Sequence, residues 1–187
     1  MEQMENEDFD SFLLQMEHKF NGIGEKEERG TEEKDFGMGF QMWLPEEFKE
    51  GDKEEAADIF WSEERPPVLF LTSDRRAGLM FRQLDGSAGA SACREKVRHV
   101  IRRTDERTVF YSSGEAGKQG NILWLEYKSF ASDERVYNLA FLFMAGEKCI
   151  LGIFYCIFED YEKWEPMVFE MLDTIKADNA EDEYEGI

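Results

Sequence analysis

Tyr137 to Phe158 reads YNLAFLFMAGEKCILGIFYCIF, two apolar runs separated by Ala145-Gly146-Glu147-Lys148. The stretch is long enough for a membrane helix, which needs about 20 apolar residues. A glycine followed by two charges stands in its middle, where burying charge in lipid is expensive. Gly, Glu and Lys between two apolar runs of strand length predict a hairpin instead. Each run is apolar at odd and even positions alike, so both faces of these strands have to be covered. Gly152, inside the second run, marks a bulge or a close backbone approach.

Working outward, strands are predicted at Asn121–Phe130 and Arg135–Ala145, with Cys149–Phe158 as the third. Their short connections demand antiparallel pairing rather than crossovers. Further strands are predicted at Phe40–Leu44, closed by Pro45, and at Ala57–Ser62, Pro67–Ser73, Gly78–Leu84 and Thr108–Ser113. Glu46–Glu55 reads as an acidic loop, and the glycine-rich 114–120 as a mobile one. On 121–130, Glu126 and Lys128 share a face, which predicts a solvated ion pair.

Two amphipathic helices flank the strands. Residues 91–103 carry a stripe of Cys93, Val97, Val100 and Ile101, with Ser87 or Ser91 as cap. Residues 165–176 place Val168, Met171, Leu172 and Ile175 on one face, with Pro166 in the first turn and Lys176 at the C-terminal end. The implied class is α+β: an α/β/α sandwich on a central, mostly antiparallel meander sheet of about six to eight strands, with a helix on each face.

The 187 residues suit one domain with arms, and a hydrophobic content of 42% with 16 Phe supports a full core. Residues 1–36 read as an acidic helix (about Glu5–Phe20: Phe9, Leu13, Met16, Phe20) and a charged linker. Residues 37–176 form the domain, and 177–187 read as an acidic, disordered tail. The net charge is −20. Such a surface repels nucleic acid and anionic lipid, so neither is expected as a partner. No signal peptide is recognisable at the N-terminus. Three Cys argue against a disulfide framework. Cys149 and Cys156 point to opposite faces of one strand, and a reducing cytoplasm is the expected location.

The element order has a precedent. Phe40–Glu47 (FQMWLPEE), Pro67–Ser73, the helix at 91–103, the meander at 121–158 and the closing MVFEMLDTI (Met167–Ile175) resemble the PsbP-like family over about residues 37–176. That fold is shared with yeast Ran-binding import factors and bacterial lipoprotein-like relatives. The resemblance implies an interaction module and no shared catalysis, and no functional residue is carried over. The chain departs from the exported members in lacking a signal peptide and a lipid-attachment Cys near its start.

Catalytic, cofactor and metal residues are expected to be absent. His18 and His99 stand on different predicted helices, without neighbours at ligand spacing. No Gly-x-Ser-x-Gly or Gly-Lys-Ser/Thr motif is present. Adjacent carboxylates such as Glu46/Glu47 diverge on extended backbone. The feature above background is a basic helix, with Arg94, Arg98 and Arg102 four residues apart on one face. Either these answer nearby acids of the 46–55 loop or the N-terminal arm, or they form a docking face for an acidic protein. Three functions follow: a non-catalytic cytosolic protein-interaction module; an immunity or anti-toxin-like inhibitor steered by charge onto a basic toxin; and a carboxylate-based enzyme.

Overall fold

The computed structural model describes residues 33–52, 54 and 66–178. The helix expected at 5–20, the strand expected at 57–62 and all of the acidic tail beyond Asp178 lie outside them. In chain order the described elements are β1 (Glu33–Asp35), β2 (Phe40–Trp43), β3 (Phe48–Glu50), β4 (Val68–Thr72), β5 (Ala77–Asp85), α1 (Gly89–Thr104), β6 (Val109–Ala116), β7 (Ile122–Ala131), β8 (Glu134–Ala145), β9 (Lys148–Ile157), a 3-10 turn (Phe158–Asp160), α2 (Tyr161–Leu172) and β10 (Lys176–Ala177).

β8 and β9 form the expected hairpin, turning at Gly146 with φ 56°, a left-handed conformation that favours glycine. They sit at the centre of a seven-stranded antiparallel sheet of order β3-β4-β5-β9-β8-β7-β6. Their two-faced apolarity is answered as required. On one face α1 packs Cys93 and Val97 over Leu142 and Cys149. On the other, α2 and a three-stranded sheet of order β1-β2-β10 close over Phe81, Phe141, Phe143 and Phe154. Phe40 of β2 lies 5.1 Å from Phe81 and 5.0 Å from Phe143, ring centre to ring centre. The α/β/α sandwich is thus present, with one outer layer shared between a helix and a small sheet.

Several local expectations are corrected. β1 forms within the stretch read as linker, because Glu33–Asp35 pairs with Gln41–Trp43. The acidic 46–55 loop contains β3, anchored by buried Phe48, whose ring sits 5.3 Å from that of Trp164. β6 runs on to Ala116, and Gly114 lies in it because a Cβ there would meet the Trp124 ring at 2.7 Å. α1 is not capped by Ser87 or Ser91: Ala88 stands at the N-cap, and Ser87 bonds Asp85 instead.

α2 starts four residues earlier than predicted, which leaves Pro166 inside the helix rather than in its first turn. Proline there forfeits a backbone hydrogen bond. Burial of Tyr161 and Trp164 against Tyr137, Phe154 and Phe158 outweighs that loss. The helix ends at Leu172, so Ile175 lies past it and Lys176 joins β10 opposite Gln41. Gly152 makes a close approach without a bulge: the β8–β9 register is continuous through it, and an added Cβ would meet Phe141 Cζ at 2.2 Å. All three cysteines are free and buried, with Cys149 and Cys156 on opposite faces as expected.

Candidate docking face on helix α1

α1 carries Cys93, Val97 and Ile101 at a spacing of four, and this stripe fastens it to β7, β8 and β9. Val100, expected in the stripe, is 61% exposed and lies on the helix flank. Because the stripe is narrow, two flanks remain open.

On the flank toward β6, Arg98 and Arg102 both lie over the Phe110 ring, with guanidinium carbons 5.0 and 5.3 Å from its centre. Phe110 in turn packs at 5.7 Å on Tyr127. Such contacts contribute about 0.5–1 kcal/mol each at exposed sites and hold the cations in place. The third arginine of the predicted row is separated from them: Arg94 is half-buried, its Nε 3.7 Å from Glu95 Oε1. Two of the three arginines of that row thus share one aromatic ring.

Among the described residues no carboxylate forms an ion pair with Arg98 or Arg102. The part of the acidic 46–55 loop that is described does not answer them. Among the described strands, its strand β3 is one edge of the sheet, and β6 beneath the arginines is the other. Six inter-strand steps of roughly 4.8 Å put these edges about 29 Å apart. The N-terminal arm lies outside the described residues. α1 as a whole bears Arg94, Lys96, Arg98, Arg102 and Arg103 against Glu95, on a chain of net charge −20.

On the opposite flank, toward β5 and β9, α1 borders a groove of about 530 Å³. Met80, Leu84, Val97, Val100, Ile101 and Leu151 give it an apolar floor, and Arg82, Lys96 and Asp85 stand at its rim. The Ser87 N–H and hydroxyl hold the Asp85 carboxyl below its ordinary range. The sequence reading missed both this groove and Phe110. A signal was available, since four apolar positions are one more than a stripe of that width needs, and the surplus Val100 lines the groove.

A second, polar cavity of about 310 Å³ is lined by Glu47, Thr72, Asp74, Arg76, Asp160 and Lys163 among others. Three of its charges are engaged locally: Arg76 Nε lies 2.8 Å from Asp160, and the Thr72 hydroxyl donates to Asp74 at 2.7 Å. Among the described residues no group of three or more His, Cys, Asp or Glu is arranged to hold a metal.

Glu126 and Lys128 do not form the solvated pair expected of them: both are buried, at 0% and 4% exposure. Glu126 accepts hydrogen bonds from Ser112 Oγ at 2.5 Å and Tyr137 Oη at 2.6 Å. Burial, followed by the Glu126 charge, pushes the Tyr137 phenol well above its ordinary value, so it stays a donor. Neither cavity is lined by Glu126 or Tyr127. The geometry therefore gives Glu126 a structural task, organising β6, β7 and β8.

No protein family and no characterised protein matches the sequence. Solved structures do match the fold. The cyanobacterial PsbP protein (CyanoP) of Synechocystis sp. PCC 6803 superposes with a TM-score of 0.59 at 12% identity, covering 83% of this chain and 98% of that one. The Ran-binding protein Mog1p of Saccharomyces cerevisiae superposes with a TM-score of 0.52 at 9% identity, covering 80% of this chain and 97% of that one. Element order, the antiparallel sheet and these superpositions agree: the chain has the fold shared by PsbP and Mog1p.

Proposed function

We propose that the protein is a non-catalytic interaction module that presents α1 to an acidic protein partner. The observation that carries this is the Arg98–Arg102 pair, exposed and pre-positioned over Phe110 without a carboxylate partner among the described residues. Aromatic and arginine side chains are the groups most often responsible for binding energy at protein interfaces. Arginine's planar fork also matches a carboxylate with two parallel hydrogen bonds. The name of Mog1p records that it binds a protein, Ran, and this supports a binding role for the fold. Three buried, unpaired thiols suit a reducing compartment such as the cytoplasm.

A second reading rests on the net charge of −20: the acidic surface could steer this protein onto a basic partner such as a toxin. The two readings separate in one experiment. Partners are captured on the wild-type chain, on Arg98→Glu/Arg102→Glu, and on Lys49→Glu at the far sheet edge. A partner held by wild type and Lys49→Glu, and weakened about tenfold or more by the arginine reversal, supports docking on α1, since juxtaposed like charges cost several kcal/mol. A partner set unchanged by the arginine reversal overturns it.

A further inference from the structure

The groove on the other flank of α1 has features that select an occupant. We propose that it is the docking site of this chain's own N-terminal segment, residues 5–20. Their sequence, ENEDFDSFLLQMEHKF, repeats Phe9, Leu13, Met16 and Phe20 at helical spacing. An apolar ridge of this period is what an open apolar groove receives when a helix lies in it. The groove floor supplies Met80, Leu84, Val97, Val100, Ile101 and Leu151.

Charge points the same way. The segment carries Glu5, Glu7, Asp8, Asp10 and Glu17 against Lys19. The groove rim carries Arg82 and Lys96, and Arg103 falls on the Lys96–Val100 flank of the helix by its spacing. Asp85 is the one acid among the lining residues, and its carboxyl is already engaged by Ser87. An acidic amphipathic segment therefore meets apolar floor and basic rim together.

The path of the chain permits it. Lys34 of β1 lies 4.3 Å from the Phe70 ring of β4, and its Nζ is 3.4 Å from Glu50 of β3. The polypeptide before Glu33 thus departs near the β3–β4 edge on the α2 face, with the groove on the other face of the neighbouring strand β5. Residues 21–32 can span about 40 Å when extended, enough to round that edge. This inference concerns a different flank from the arginine pair and does not rest on the partner reading.

The test uses the full chain with p-benzoylphenylalanine in place of Leu13, irradiated and mapped by mass spectrometry. Cross-links within one chain to residues 80–84 or 97–101 are expected. Val100→Glu should lower their yield at least tenfold. Lys96→Glu, also at an exposed position, should lower it severalfold and serves if Val100→Glu disturbs folding. Arg98→Glu/Arg102→Glu should leave the yield unchanged, which separates this site from the partner face. The proposal is overturned by cross-links confined to the α2 side of the sheet, by cross-links that form only between two chains, or by a yield that both groove variants leave intact.

Discussion

Gly152 and Phe141 face each other across the β8–β9 ladder, and the ring occupies the space a side chain at 152 would need. Gly152→Ala should destabilise the protein by about 1–3 kcal/mol or more, because overpacking a filled core forces off-rotamer side chains. Denaturant titration measures this, and a change below about 0.5 kcal/mol would contradict the packing. The 137–126 pair supplies a second test. Tyr137→Phe removes a donor from the fully buried Glu126 carboxylate, and the expected loss is about 1–3 kcal/mol.

Burial also sets the pH range of the fold. It pushes the Cys149 thiol up to about 12, with Cys93 contributing, and the Tyr155 phenol up to about 12. Burial raises Tyr127, Tyr137 and Cys156 as well. Groups whose folded pKa is raised hold their protons more tightly when folded. Their contribution is complete below the unfolded values of 9.0 for thiols and 10.0 for phenols, and is lost as pH climbs toward the folded values. As far as these groups set it, stability should be level from about neutral pH to about pH 9 and fall steeply above it. A melting temperature unchanged between about pH 8 and 11 would show that these groups are not buried as described.

At the scale of elements, the strands and helices differ in how far they could be read in advance. β8 and β9 were legible because two-faced apolarity has one soluble solution, the middle of a layered sheet. Their core position predicts that Phe154→Ala or Phe141→Ala costs about 3–5 kcal/mol. Val100 stands outside that core, 61% exposed at the groove beside α1. Periodicity alone assigned Val100 to the buried stripe of α1. What excludes it is the placement of the helix over β7–β9, which leaves the β5 side open.

Elsewhere local signals yielded to tertiary packing. Pro166 marks a helix start by its chemistry, yet α2 begins at Tyr161 because two aromatic side chains gain more by burial than the missing hydrogen bond costs. β1 and β3 are three residues long and mostly charged, so no pattern could disclose them. They exist because β2 and β4 present them with edges to pair. Glu126 and Lys128 look solvated in a linear reading. In the folded chain Ser112 of β6 and Tyr137 of β8 close on Glu126, and both Glu126 and Lys128 are buried.

At the scale of the whole molecule, the sheet is stabilised from its centre outward. Hydrogen exchange should be slowest in β8 and β9, intermediate in β5 and β7, and fastest in β1, β3 and β6, because edge strands open at lower cost than central ones. Slowest exchange in β3 or β6 would refute the strand order. Charge is organised on the same scale: an acidic protein carries a basic helix on one face. The sequence shows that imbalance plainly. It does not show that Arg98 and Arg102 share one aromatic platform while Arg94 stands apart, since Phe110 arrives from another strand.

The sequence by itself determined the layered class, the central hairpin, the two covering helices and the sign of each charged region. These follow from periodicity and composition, which act along the chain and survive without a partner surface. The tertiary structure decided the small second sheet, the burial of Glu126, the pairing of Arg98 with Arg102 and the groove beside α1. Each of these depends on which residues distant in sequence come to share a face, and contact across that distance leaves at most a trace in the local pattern, such as the surplus Val100 beside the groove.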